Sequence, residues 1–203
     1  MDITTSIYYT YSTIAQVLAA FLALSGVFLI FKIQEIKNDL LFQANYFLKS
    51  VDFFKTIYEF NIDAQEHLEN LEIQMNSNKV DELLSPIQGF LSSFTPFYYS
   101  GADRKTLIDN NEKLIKCRDR INVIQMKKRF IKRLTVTSMI SGILMILISI
   151  WVLNNAAAMN ENQKYYFFIV SFFIVIFSIT NMFLAIVLSL YDIEILFKGK
   201  RRI

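Results

Sequence analysis

Histidine, cysteine and tryptophan each occur once in this chain of 203 residues, and proline twice. The lone Cys117 excludes an intramolecular disulfide and suits a reducing compartment. The lone His67 stands in an acidic stretch with Glu59, Asp63, Glu66, Glu69 and Glu72. A histidine and two carboxylates at helical spacing can hold a divalent metal. Such a face is more commonly solvated or paired, here with Lys113, Lys116 and Arg120 of a returning helix, and no metal is expected. P-loop, dinucleotide fingerprint, nucleophile elbow, zincin and CxxC motifs are also missing, so the chain reads as a non-enzyme without a cofactor.

Charge is the most informative absence. Although 19% of the residues are charged and 54% are hydrophobic, the stretches 3–31, 134–160 and 165–191 carry no charge at all. Each is long enough to cross roughly 30 Å of hydrocarbon at about 1.5 Å per helical residue. The same stretches lack histidine, which argues against a proton relay or an ion-coupled pump, since both place ionisable groups inside the membrane. The first stretch follows only Asp2 rather than a basic region, and it is about twice the length of a signal-peptide core, so it reads as a retained anchor.

These runs predict an all-α integral membrane protein with three transmembrane helices and a cytoplasmic antiparallel helical hairpin between the first and the second. Residues 1–31 form the first span, 32–133 the hairpin with an aromatic tip at 83–102, 134–191 the second and third spans, and 192–203 a basic tail. Orientation follows from the cations beside the spans. Lys32 and Lys37 follow the first span, Lys127, Lys128, Arg129, Lys132 and Arg133 precede the second, and Lys198, Lys200, Arg201 and Arg202 follow the third. The N-terminus is therefore expected outside a plasma or inner membrane, with the long segment and the tail in the cytoplasm. Tyr8, Tyr9, Tyr11, Trp151, Tyr165 and Tyr166 then fall at the outer interface, where amphipathic rings prefer to sit.

Within the first span, Ser12, Ala15, Ala19, Ala23 and Gly26 form a small-residue stripe that permits close helix packing, within the chain or between subunits. No helix breaker follows, and Leu40, Ala44, Phe47, Val51, Phe54 and Tyr58 continue with alternating steps of four and three, the pattern of a coiled-coil-like seam. A break is expected near Asn61, with Asp63 as N-cap and Glu66 completing a capping box. The returning helix, 103–133, presents Leu107, Asn110, Leu114, Cys117, Ile121, Ile124, Lys128 and Ile131, where Asn110 and Lys128 interrupt the apolar run and tend to fix register.

The uncharged segment 83–102 holds Pro86, Pro96, Phe90, Phe94, Phe97, Tyr98 and Tyr99. Two prolines and several serines make it a poor fourth span, and it reads either as a folded cap or as an exposed patch for a cytoplasmic protein partner. Counted from the cytoplasmic ends at about 1.5 Å per residue, Ser25, Ser141 and Asn181 lie roughly 9–14 Å deep and Gln16, Ser149 and Ser178 roughly 18–23 Å deep. Such layers fasten helices together or line a pore, and Asn181 is expected to point into the bundle or toward a subunit interface. The nine cations at the inner interface would attract anionic headgroups. A net charge of +3 without aromatic and basic interleaving gives no reason to expect nucleic acid. The residues thus predict a homo-oligomeric assembly or adaptor protein, the alternative being a channel or membrane-permeabilising effector subunit.

Overall fold

A computed structural model of the protein describes residues 3–55, 61–93 and 104–191, and all regular structure among them is helical. Helix α1 spans Ile3–Val51 and ends in a 3-10 turn, Asp52–Phe54. Helix α2 spans Ile62–Asn76, α3 Leu84–Ser93, α4 Arg104–Asn155 and α5 Glu161–Leu190. Three of these, α1, α4 and α5, contain a stretch long and apolar enough to cross a membrane. The residues divide into two compact units, one of 1–33 with 129–203 and one of 34–128, to both of which α1 and α4 contribute.

In the unit of 34–128 the core is large and apolar. Leu40, Ala44, Phe47, Val51 and Phe54 are all buried, so the four-three pattern of α1 marks its inner face. Tyr58, Leu107 and Glu59 lie outside the residues whose side chains are described. Ala64, Leu68 and Leu71 of α2 and Ile87 and Phe90 of α3 are buried where these two helices pack together. Phe47 and Phe90 meet edge to face with ring centroids 5.8 Å apart, a favoured aromatic geometry. On α4, Leu114, Cys117 and Ile121 continue the core, and the buried row then passes to Gln125 and Lys128, leaving Ile124 half-buried.

Local chemistry fixes the ends of α2. Its N-cap is Asn61, whose Oδ1 accepts from the Ala64 amide at 3.1 Å, and not Asp63. Asn61 prevails because its backbone is already extended and its Nδ2 also donates to the Ser93 carbonyl at 3.0 Å, so one amide starts α2 and ties it to the end of α3. At the other end Asn78 adopts φ 62°, the left-handed conformation that asparagine tolerates. The Lys79 amide then reaches the Gln74 carbonyl at 2.9 Å and the Asn78 amide that of Met75 at 3.0 Å, a Schellman motif.

In the unit of 1–33 and 129–203, α1 and α4 pass each other in opposite directions, Gly26 beside Met139 and Gly142 beside Leu22. A Cβ on Gly142 would collide with Leu22 Cδ1, so the glycine sets how closely the two helices approach. α4 and α5 meet through a reciprocal pair: Ser138 Oγ donates to the Ser178 carbonyl at 2.7 Å, and Ser178 Oγ to the Ser138 carbonyl at 2.9 Å. A capping box between Asn160 and Gln163 starts α5 after the short turn that follows α4. Tyr11 does not join an outward aromatic belt. It is buried, with its hydroxyl 3.2 Å from Ser171 Oγ, because α5 passes beside α1 there and offers the phenol a polar partner.

Candidate functional site

The unit of 1–33 and 129–203 buries hydroxyl side chains beside apolar ones such as Leu18, Leu22, Leu29 and Met182, and exposes many large apolar side chains. Its buried residues include Ser25, Thr135, Ser138, Ser149, Ser171, Ser178, Ser189 and Ala185. Its exposed ones include Val17, Leu24, Phe31, Ile140, Leu147, Phe173 and Phe183. Buried serines between the helices and large apolar side chains outside fit helices that pack against each other in lipid, where close backbone approach replaces the hydrophobic drive.

The two polar layers do not form three-helix rings within the chain. Ser178 pairs with Ser138, Ser149 Oγ bonds the Met145 carbonyl of its own helix at 2.9 Å, and Ser141 Oγ bonds the Ser138 carbonyl at 3.0 Å. Ser25 is buried, whereas Gln16 is exposed. Asn181 is half-buried and its amide donates to the Phe177 carbonyl of the preceding turn at 2.9 Å. The expectation that Asn181 points into the bundle or toward a subunit interface rests on an unpaired amide, and here its own helix backbone satisfies the donor. Ser138, Ser171 and Gly142 were not singled out by depth, and what marks them in the sequence is their small size within an otherwise bulky run.

The small-residue stripe of α1 divides. Gly26 is buried against Met139, Ala15 is half-buried, and Ala19 and Ala23 are exposed. The latter two therefore face away from α4 and α5.

Of the two readings of 83–102, Phe90 follows the folded cap and not the exposed patch, since it is fully buried against Phe47. Pro86 falls in the first turn of α3, where the missing amide costs no helical bond, so the segment forms a helix and turns Phe90 inward. Phe94, Phe97, Tyr98, Tyr99 and Pro96 lie outside the described residues. Exposed aromatic side chains occur instead on α1 and the turn that ends it: Phe42, at 67% exposure, Tyr46 and Phe53. Steps of four and seven put them on one side of the helix, opposite the buried seam.

Charged groups have definite partners in places. Lys128, at 8% exposure, donates to Asp81 Oδ1 at 3.0 Å, so it belongs to the core of its unit and not to a headgroup-facing cluster. Desolvation of the ammonium is offset only by that contact. Gln125 Nε2 donates to the Val80 carbonyl at 2.9 Å and holds the same turn. Lys127 also has an interaction partner, whereas Arg129, Lys132 and Arg133 are exposed. Lys198, Lys200, Arg201 and Arg202 lie outside the described residues. Glu112 pairs with Lys116 at 2.7 Å, and that ammonium holds its carboxyl below the usual range.

His67 packs across Gly89 of α3, where a Cβ would strike the imidazole. Among the described residues no three His, Cys, Asp or Glu side chains lie close enough to hold a metal. Cys117 Sγ bonds the Gln43 carbonyl at 3.2 Å, and burial pushes its thiol up to about 11, far from the activated thiolate of a nucleophile.

No known protein family matches this chain, and neither a curated protein nor a solved structure shows a match to it. The outward faces of the helices therefore carry the functional reading.

Proposed function

We propose that this chain is a non-enzymatic integral membrane assembly or adaptor protein. Three spans anchor it in a plasma or inner membrane with its N-terminus outside, and an antiparallel cytoplasmic hairpin within 32–133 mediates homo-oligomerisation or docks a protein partner. The observation that carries the reading is the second apolar side of α1. A helix that buries one face and exposes Phe42, Tyr46 and Phe53 on the other has more apolar surface than one chain covers, and surplus of this kind marks an interaction site. The outward Ala19 and Ala23 add a surface on which another membrane helix can approach closely.

Size measurement by light scattering in mild detergent tests the reading. The expected result is a defined homo-oligomer that dissociates when Phe42 and Tyr46 are replaced by serine and weakens with Ala19→Leu or Ala23→Leu. A strictly monomeric wild-type chain that also captures no cytoplasmic protein would contradict it. Topology is checked separately: reporters inserted near Asn76 or fused after Ile203 should read cytoplasm, and one near Asn160 the outside.

A second reading, a channel or membrane-permeabilising effector subunit, is favoured by Gln16, a polar side chain exposed in mid-span. A lumen between copies would hydrate it, and contact with a neighbouring helix would bond it. Ion flux in liposomes separates the two: flux that falls with Gln16→Leu while the oligomer persists supports the channel, and its absence at full reconstitution supports the assembly role.

A further inference from the structure

The basic cluster of α4 divides by direction. Lys128 turns inward to Asp81, while Arg129, Lys132 and Arg133 are exposed and make no ion pair with another described residue. With Val136 and Thr137 these three cations line an open recess of about 370 Å³. Positions 129, 132, 133, 136 and 137 recur at steps of three and four, so one helix face carries them all. Beyond the recess that face continues with Ile140 and Leu147, both more than half exposed. Ile140 lies roughly 10 Å past Arg133 along the helix at about 1.5 Å per residue.

We infer that this face is a binding site for one anionic phospholipid. Its phosphate sits among Arg129, Lys132 and Arg133, the Thr137 hydroxyl supplies a further donor, and an acyl chain lies along Val136 and Ile140. The chemistry of both ends selects the ligand. Guanidinium groups match phosphate oxygens in paired hydrogen bonds, which an ammonium alone does not. A free phosphate would use the recess and leave the apolar track without purpose, whereas a phospholipid covers both. The site is more specific than a general attraction of basic residues to a charged surface, since it uses the three outward cations and omits Lys128. It rests on the reading that α4 crosses the bilayer.

The test is native mass spectrometry of the full chain released from nanodiscs of equal phosphatidylglycerol and phosphatidylcholine. Resistance of the chain to alkaline carbonate extraction is checked first: if the wash removes it, the membrane reading fails and the site with it. If the chain stays, the expected result is one phosphatidylglycerol retained per chain in preference to phosphatidylcholine. R129Q/R133Q should weaken retention roughly twenty-five-fold, two surface cations at about fivefold each, with the Trp151 fluorescence unchanged. Lys132→Gln, one charge fewer, should weaken it about fivefold and serves where the double variant does not fold. K198Q/K200Q, which removes the same charge from the tail, should retain the lipid. Equal loss in that control would show diffuse attraction and overturn the site. So would displacement of the lipid by millimolar inorganic phosphate, which would make the recess a free-anion site, or equal retention of the two lipids.

Discussion

The two units of this protein differ in what they bury and in what they expose. In 34–128 the buried positions are Phe47, Phe54, Leu71, Leu83, Ile87 and Phe90, and acidic and basic residues lie mostly outside. In 1–33 with 129–203 serines and a threonine share the interior with Leu18, Leu22, Leu29, Ile131, Met145 and Met182, while Leu24, Phe173, Phe177 and Phe183 are exposed. The difference fits a unit whose apolar stretches are long enough to cross a membrane. In water, apolar area removed from solvent drives association at about 25 cal/mol per Å². In lipid that drive vanishes, and small side chains that let backbones and hydroxyls meet take its place.

Two native probes report the units separately, because the single cysteine lies in one and the single tryptophan in the other. The largest expected effect is in the unit of 34–128. Phe47→Ala should destabilise it by about 3–5 kcal/mol, read as faster labelling of Cys117 under native conditions. The same truncation at the outward Phe183 should stay within about 0.5 kcal/mol. Equal effects at both sites would break the comparison. The buried thiol adds a pH signature. Its ordinary value of 9.0 is pushed up to about 11 in the folded chain, so between these values the folded unit holds a proton that the unfolded chain has released. Its stability should be undiminished below pH 9 and fall as pH climbs toward 11.

Next in size is the glycine contact of the other unit. Gly142→Val forces a side chain into Leu22, and overpacking of this kind costs about 1–3 kcal/mol. The change should alter Trp151 emission, since the indole ring lies 5.1 Å from Phe167, and leave Cys117 labelling as it was. A variant in which both probes respond alike would show the units to be one cooperative block.

A charge change sharpens the comparison from the other side. Asp81→Asn leaves the Lys128 ammonium buried without its carboxylate and should cost about 2 kcal/mol, detected at Cys117. Lys128→Met should be neutral or stabilising, because packing then replaces a desolvated charge. Smallest is the hydroxyl pair: Ser138→Ala should lose about 0.6 kcal/mol, the usual worth of a hydrogen bond between membrane helices.

The sequence makes some of this legible and hides the rest for physical reasons. Uncharged length alone marks the three long apolar helices, and the four-three steps from Leu40 to Phe54 mark the buried side of α1, because both signals are periodic and local. The cap of α2 lies two residues before Asp63, since Asn61 and Asp63 are both good caps and the Ser93 carbonyl, distant in sequence, decides between them. Segment 83–102 reads either as a cap or as an exposed patch, and Phe90 turns inward because Phe47 packs against it. Lys128 looks like one cation among five until Asp81 is placed beside it. Tyr11 looks interfacial until Ser171 is. In each case the deciding partner lies tens of residues away or more, where periodicity carries no information.

The central claim is that the unit with serines inside and phenylalanines outside is solvated by lipid. Spin labels at single cysteines in a Cys117→Ser background, reconstituted in liposomes, test it most directly through collision with oxygen, which partitions into hydrocarbon, and with a polar nickel chelate, which does not. Leu24, Ile140 and Phe173 should show high oxygen and low nickel collision, and Glu69 and Ile73 of α2 the reverse. High nickel collision at Leu24, Ile140 and Phe173 would place that face in water and contradict the account.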